Sequence, residues 1–128
     1  MKRNEHSYFR FYFYYRTRLA TWMSSHCPTK SRREVLVKEL QRELINHQHQ
    51  HQPQQQPRKF ELKLDTFGRC GKRSCYRREP YAAKCWQREL SKYSFYLALE
   101  NSVCPHYISE KAFIAMKYGL IPIVYGGG

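Results

Sequence analysis

An α/β fold with parallel strands is what this sequence predicts, and three observations predict it. Two short runs, FYLALE at 95–100 and IPIVYG at 121–126, are nearly all apolar, as strands buried on both faces of a parallel sheet are. Other segments carry helical periodicity with capping residues ahead of them. The resulting order is strand, helix, strand, irregular segment, strand, helix, strand, which parallel neighbours joined by right-handed crossovers satisfy.

The 128 residues allow one domain, a short one for an enzyme that must hold two substrates. With 23 Lys and Arg against 10 Asp and Glu, the formal charge is +13, so the surface favours an anion: nucleic acid, an acidic membrane or a nucleotide diphosphate. Apolar content of 41% still permits a core. The aromatic run Ser7 to Tyr15 is interrupted by Arg10 and is too short to span a bilayer. It is not a signal peptide, so a membrane anchor is expected only upstream of this chain. Cys27, Cys70, Cys75, Cys85 and Cys104 are many for a reducing compartment and are candidate disulfide cysteines. Cys70, Cys75 and Cys85 lack the C-x-x-C knuckle usual in structural zinc sites.

The first strand is Leu19, Ala20, Trp22 and Met23, and it runs into the polar loop SSHCPTK. Ser31 with Glu34 reads as a capping box, after which Val37, Leu40 and Leu44 take one helix face and Lys38, Arg42 and Glu43 the other. His47 to Pro57, HQHQHQPQQQP, has nothing to bury and two prolines, so a disordered insertion is expected; its histidines need no metal to explain them. Phe60, Leu62 and Leu64 then alternate with charge as a half-buried strand closed by Gly68. Arg69 to Lys84, basic and Cys-rich, reads as a cross-linked loop. After FYLALE, Ser109 caps a helix through Tyr118 with Ala112, Phe113 and Met116 on one side, and Gly119 ends it.

Ligands of such sheets bind beyond the carboxyl ends of the strands. SSHCPTKSRR and ENSVCPHYISEK lie there, each opening a helix. Arg32 and Lys111 in the two first turns oppose the helix dipole unless an anion sits between them. Glu100 and Glu110 can accept hydrogen bonds from sugar hydroxyls, Glu110 equally being an ordinary first-turn acid. Asn101 is either a turn residue or a ligand, and Tyr107 either a stacking partner or a core cover.

The run ELSKYSFYLALENSVCPHYISEKAF resembles the stretch of the α1,3/1,4-fucosyltransferases, glycosyltransferase family 10, written SxYKFYLAFENSxCxDYITEK. Most of its positions agree, among them Glu100, Asn101, Ser102, Cys104, Tyr107, Glu110 and Lys111. DTFGRCG resembles the family's D-x-(Y/F)-G-x-C-G, and LATWMSSHCPTKSRREVLVKELQ looks like its first donor-domain strand and helix. His106 stands where the family has an acid, and Leu99 where it has a phenylalanine.

The resemblance implies a partial Rossmann-like sheet, the C-terminal half of a GT-B fold, over residues 19–128, with 47–57 as a low-complexity loop and 1–18 as a divergent segment or linker. It implies GDP-fucose as donor, Arg32 and Lys111 on the diphosphate, Glu110 and Tyr107 on ribose or fucose, and Glu100 and Asn101 beside them. The reaction implied is inverting transfer of L-fucose to the 3-hydroxyl of an N-acetylglucosamine. No DxD motif is present, so no metal cofactor is expected. The base is expected in an acceptor half outside these residues, leaving this chain inactive alone. Golgi residence with a lumenal catalytic domain is implied, and no nucleic acid is expected. From charge and composition alone, a small basic RNA-binding protein is the alternative; a second is an inactive GDP-binding module that keeps the donor fold the resemblance implies.

Overall fold

The computed structural model describes residues 16–50, 60–76, 78–102 and 109–125. Four strands form one sheet: β1 (Arg18–Met23), β2 (Glu61–Phe67), β3 (Tyr93–Leu99) and β4 (Ile121–Tyr125), in the spatial order β2-β1-β3-β4. All three pairings are parallel. The connecting helices are α1 (Arg33–Gln50), α2 (Tyr81–Arg88) and α3 (Lys111–Lys117), with a 3₁₀ turn at Leu90–Lys92 ahead of β3.

Alternation along β3 divides the core into two layers. Leu97 and Leu99 join Ala20, Trp22, Leu64 and Val37 of α1 on one face. Tyr96 and Ala98 join Phe67, Trp86 of α2, and Ala112 and Ala115 of α3 on the other. Each large side chain so buried contributes about 1.5–3 kcal/mol. β3, in the middle of both layers, is buried at every position but Phe95, as its apolar run predicts.

A polar clasp crosses the sheet. The Tyr93 hydroxyl donates to Asp65 Oδ2 at 2.5 Å, and Arg18 Nη1 donates to both residues at 3.2 and 3.3 Å. Burial, then the bond to Asp65, pushes the Tyr93 phenol up to about 12. Arg16 is also anchored, its guanidinium donating to the Tyr93 carbonyl at 2.5 Å, which ties the residues just before β1 to β3.

Several elements differ from the sequence expectation. α1 continues to Gln50, so His47 to Gln50 are helical where a loop is expected; the rest of that segment, 51–57, lies outside the described residues, as do 1–15. Gln48 donates to the Leu62 carbonyl at 2.5 Å, which ties the helix end to β2. Ser31 does not cap: Glu34 reaches back to the Thr29 N–H and hydroxyl at 3.0 and 2.8 Å. The irregular segment holds a crossover helix, α2, that buries Trp86.

On α3 the buried residues are Ala112 and Ala115, whereas Phe113 and Met116 are exposed, because the helix approaches the sheet closely over small side chains. β4 is not a buried strand. It pairs only with β3 among the described residues, and Ile121, Ile123, Val124 and Tyr125 are exposed.

Candidate functional site

The strand order places a switch point between β1 and β3: the chain leaves β1 toward β2 on one side and later leaves β3 toward β4 on the other. Crevices of parallel sheets open at such points, beyond the carboxyl ends. Here the loop after β1 and the segment after β3 hold each other. Ser31 donates from its hydroxyl to the Glu100 carbonyl at 2.6 Å and from its N–H to the Asn101 carbonyl at 3.0 Å.

Arg33, at the start of α1, is the buried cation of this junction, only 2% exposed. Its guanidinium donates to the Leu99 carbonyl at 2.9 Å, the His26 carbonyl at 3.0 Å and the Ser24 hydroxyl, and stands 5.8 Å over the Trp22 ring. Its Nε has no partner among the described residues. Desolvation lowers its pKa, against the pull of Glu34 and Glu100. A buried cation with one N–H unmatched is costly, and it raises the positive potential at the loop it supports.

On the other side, Glu100 is 2% exposed and accepts from the Ser109 N–H at 2.8 Å, the Ser109 hydroxyl at 2.7 Å and Lys111 Nζ at 3.4 Å. Burial opposes its ionisation, but the two Ser109 bonds and the Lys111 charge together prevail and hold the carboxyl below its usual range. Ser109 also accepts from Lys111 Nζ at 3.0 Å. Glu100 therefore fixes the start of α3 and aims the Lys111 ammonium.

That ammonium lines a cleft of about 530 Å³ beyond the ends of β1 and β2. Met23, Trp86, Tyr96 and Ile114 give it an apolar wall. Ser24, Ser25 and Arg69 add polar groups, and Cys75 borders it. Disulfides Cys27–Cys70 and Cys75–Cys85 brace the loops around it. The arrangement has the size and polarity to take an anionic group against serine hydroxyls and two cations, beside an apolar surface.

Comparison with known proteins assigns the family. The model of glycosyltransferase family 10 (fucosyltransferase), C-terminal part, matches residues 45–128. The chain belongs to this family. It is 38% identical over 112 residues to "Alpha-(1,3)-fucosyltransferase C" of Drosophila melanogaster, an alignment covering 88% of this chain and 21% of that protein. It is 33% identical over 106 residues to "Alpha-(1,3)-fucosyltransferase fut-1" of Caenorhabditis elegans, covering 82% and 20%. The chain thus spans about a fifth of the length of these relatives. A crystal structure of an α1,3-fucosyltransferase superposes with a TM-score of 0.53 over 88% of this chain and 26% of its own, at 20% identity, a likeness of fold.

Within this family 10 domain the structure distributes the sequence-predicted residues unevenly. Glu100 and Lys111 meet, with Lys111 in the cleft. Glu110 sits at the exposed start of α3, its carboxylate making no hydrogen bond among the described residues. Asn101 is exposed and engaged through its carbonyl. Arg32 is not in the first turn of α1. It precedes the helix with φ 55°, accepts from the Val35 and Leu36 N–H groups, and is exposed. Tyr107 and Cys104 lie outside the described residues, with His106.

Sequence reasoning missed Arg33, Ser24, Arg69 and the bracing role of Ser109. For Arg33 a signal existed: it lies four residues before Val37, on the face that α1 buries.

Proposed function

We propose that this chain is the donor-binding part of an inverting α1,3-fucosyltransferase, which moves L-fucose from GDP-fucose to the 3-hydroxyl of an N-acetylglucosamine in a glycoprotein glycan. One observation carries the reading: in a family 10 domain, a cleft at the strand ends presents Lys111, aimed by Glu100 and Ser109, beside Ser24 and Ser25. The diphosphate occupies that cleft, with Lys111 contacting its oxygens and Arg33 supporting from behind Ser24. Arg33 takes the part that the resemblance gave to Arg32, because a buried guanidinium at the switch point acts on the cleft through a fixed wall. Glu110 and Tyr107 contact ribose or fucose, and Asn101 lies at the rim.

In the transfer, the bond from the fucose anomeric carbon to the diphosphate breaks and its electron pair leaves with GDP. The acceptor oxygen forms the new bond, and its proton passes to a base supplied by the acceptor half. The transition state is oxocarbenium-like, so the chief demand on this chain is to stabilise negative charge growing on GDP. Lys111 and Arg33 meet that demand without a metal ion, in keeping with the absence of a DxD motif. Two disulfides suit a lumenal, oxidising site such as the Golgi.

Calorimetric titration of GDP and GDP-fucose into the wild type and Lys111→Ala tests this. Binding that weakens about 10- to 100-fold in the variant is expected for loss of a charged hydrogen bond. Indifference to nucleotide together with tight, salt-steep RNA binding would sink the reading.

A further inference from the structure

Among the described residues two charged side chains line the cleft, and both are cations: Lys111 and Arg69. The sequence pattern and the roles above account for the first. Arg69 has none, yet its backbone is among the most firmly placed in the cleft wall. Gly68 turns the chain at φ 85°, so close to β1 that a Cβ there would stand 2.5 Å from the Ser24 carbonyl oxygen. The next N–H but one, that of Cys70, donates to the same carbonyl at 2.9 Å, and the Cys27–Cys70 disulfide closes the turn. Arg69 is thereby carried on a rigid base with its side chain exposed.

Its neighbourhood sharpens the contrast. Arg73, on the same connection, is spent on Asp65 at 3.7 Å, and Arg18 shares that carboxylate at 3.3 Å. Among the described residues Arg69 forms no ion pair or hydrogen bond through its side chain, and no acid among them lines the cleft. A planar guanidinium with five N–H donors matches two phosphate oxygens at once, and a fixed backbone limits the ordering cost on binding.

We propose that Arg69 is a second phosphate-binding side chain of this site, reaching the ligand diphosphate from the β2 side while Lys111 approaches from α3. The inference rests on the nucleotide-binding reading above and adds a requirement to it: two cations from separate strand ends select a diphosphate over a monophosphate.

The test is calorimetry of GDP, GMP and guanosine with the wild type, Arg69→Ala, Arg69→Lys, Arg73→Ala and Lys111→Ala, each first checked for a cooperative unfolding transition. Arg69→Ala is expected to lose about 10- to 100-fold in GDP affinity, less for GMP, and to leave guanosine unchanged. Arg69→Lys should recover part of the loss, keeping charge without the fork. Arg73→Ala, which removes an equal charge already neutralised by Asp65, should stay within about twofold of the wild type. If Arg69→Ala binds GDP as the wild type does while Lys111→Ala is weakened, the role of Arg69 is overturned and the donor-site reading stands. Equal losses for GDP and guanosine would also overturn it, since they mark a distorted site. A wild type blind to GDP overturns both.

Discussion

Glu100 accepts three hydrogen bonds, two from Ser109 and one from Lys111, and it has to be ionised to hold them all. Glu100→Gln keeps an oxygen for the Ser109 donors and loses the charge that holds Lys111, whereas Glu100→Ala leaves buried donors unmatched. The alanine variant should lose about 2–3 kcal/mol in urea unfolding and the glutamine variant about half of that. Because the folded carboxyl sits below its usual range, the unfolded chain binds more protons as the solution becomes acidic. The contribution of Glu100 is therefore complete above the ordinary glutamate value, about 4.3, and disappears as pH falls through the lower folded value. Plotted against pH, the stability gap between the wild type and Glu100→Gln should be flat near neutrality and narrow below about pH 4.3. A gap that widens with acid would contradict the assignment. Tyr93→Phe tests the clasp with Asp65 in the same way. It removes one short, charge-assisted bond while Arg18 and Arg73 still face the carboxylate, so a loss of about 1–2 kcal/mol is expected.

Loops, more than helices, shape the cleft. α3 is only seven residues long, so its dipole is short and the side-chain charge of Lys111 dominates over backbone partial charge. The turn after β2 depends on Gly68 for both its conformation and its closeness to Ser24. Gly68→Ala should cost at least ~1–3 kcal/mol from the left-handed backbone alone, and displacement of Arg69 should weaken GDP binding beyond the stability loss. The disulfides differ in leverage. Cys27–Cys70 spans a sequence separation of 43 and Cys75–Cys85 one of 10. Loop entropy then makes them worth about 4 and about 3 kcal/mol. Paired Ser substitutions, compared by thermal unfolding, should rank in that order.

At the scale of the whole molecule, the sheet is unevenly finished. β1 and β3 are covered on both faces, while β4 leaves Ile123 and Val124 at 45% and 43% exposure, with Phe113 of α3 at 62%. Among the described residues β4 is an edge strand, and an exposed apolar edge of that kind invites association between chains. Ile123→Lys should lower the sedimentation-detected association of the 128-residue chain and leave its GDP affinity within about twofold. The charge of +13 opposes association at low salt, so the difference between the wild type and the variant should grow as salt rises.

Fold class, strand order along the chain and the burial of β3 were legible because apolar period and strand length are local properties of the sequence. The motif from Phe95 to Lys111 likewise pointed to Glu100 and Lys111, and those two residues meet. What the sequence could not assign were matters of direction and depth. Adjacent Arg32 and Arg33 stand on either side of a helix start: Arg32 precedes α1 with a left-handed backbone and is solvated, Arg33 opens α1 and is buried, and only where the helix begins decides which. α2 escaped notice because eight residues after a proline carry too little periodicity to be distinguished from a loop. IPIVYG looks buried since its composition is apolar, yet composition does not say whether anything covers the strand. Arg69 becomes a site residue solely through the contact of Gly68 and Cys70 with Ser24, some 44 residues away in the chain. The sequence alone determined that this is a parallel α/β domain of a fucosyltransferase family with a cation, Lys111, at the start of the helix that follows β3. Tertiary structure decided which cations face the cleft, because facing is set by backbone packing between segments distant in sequence.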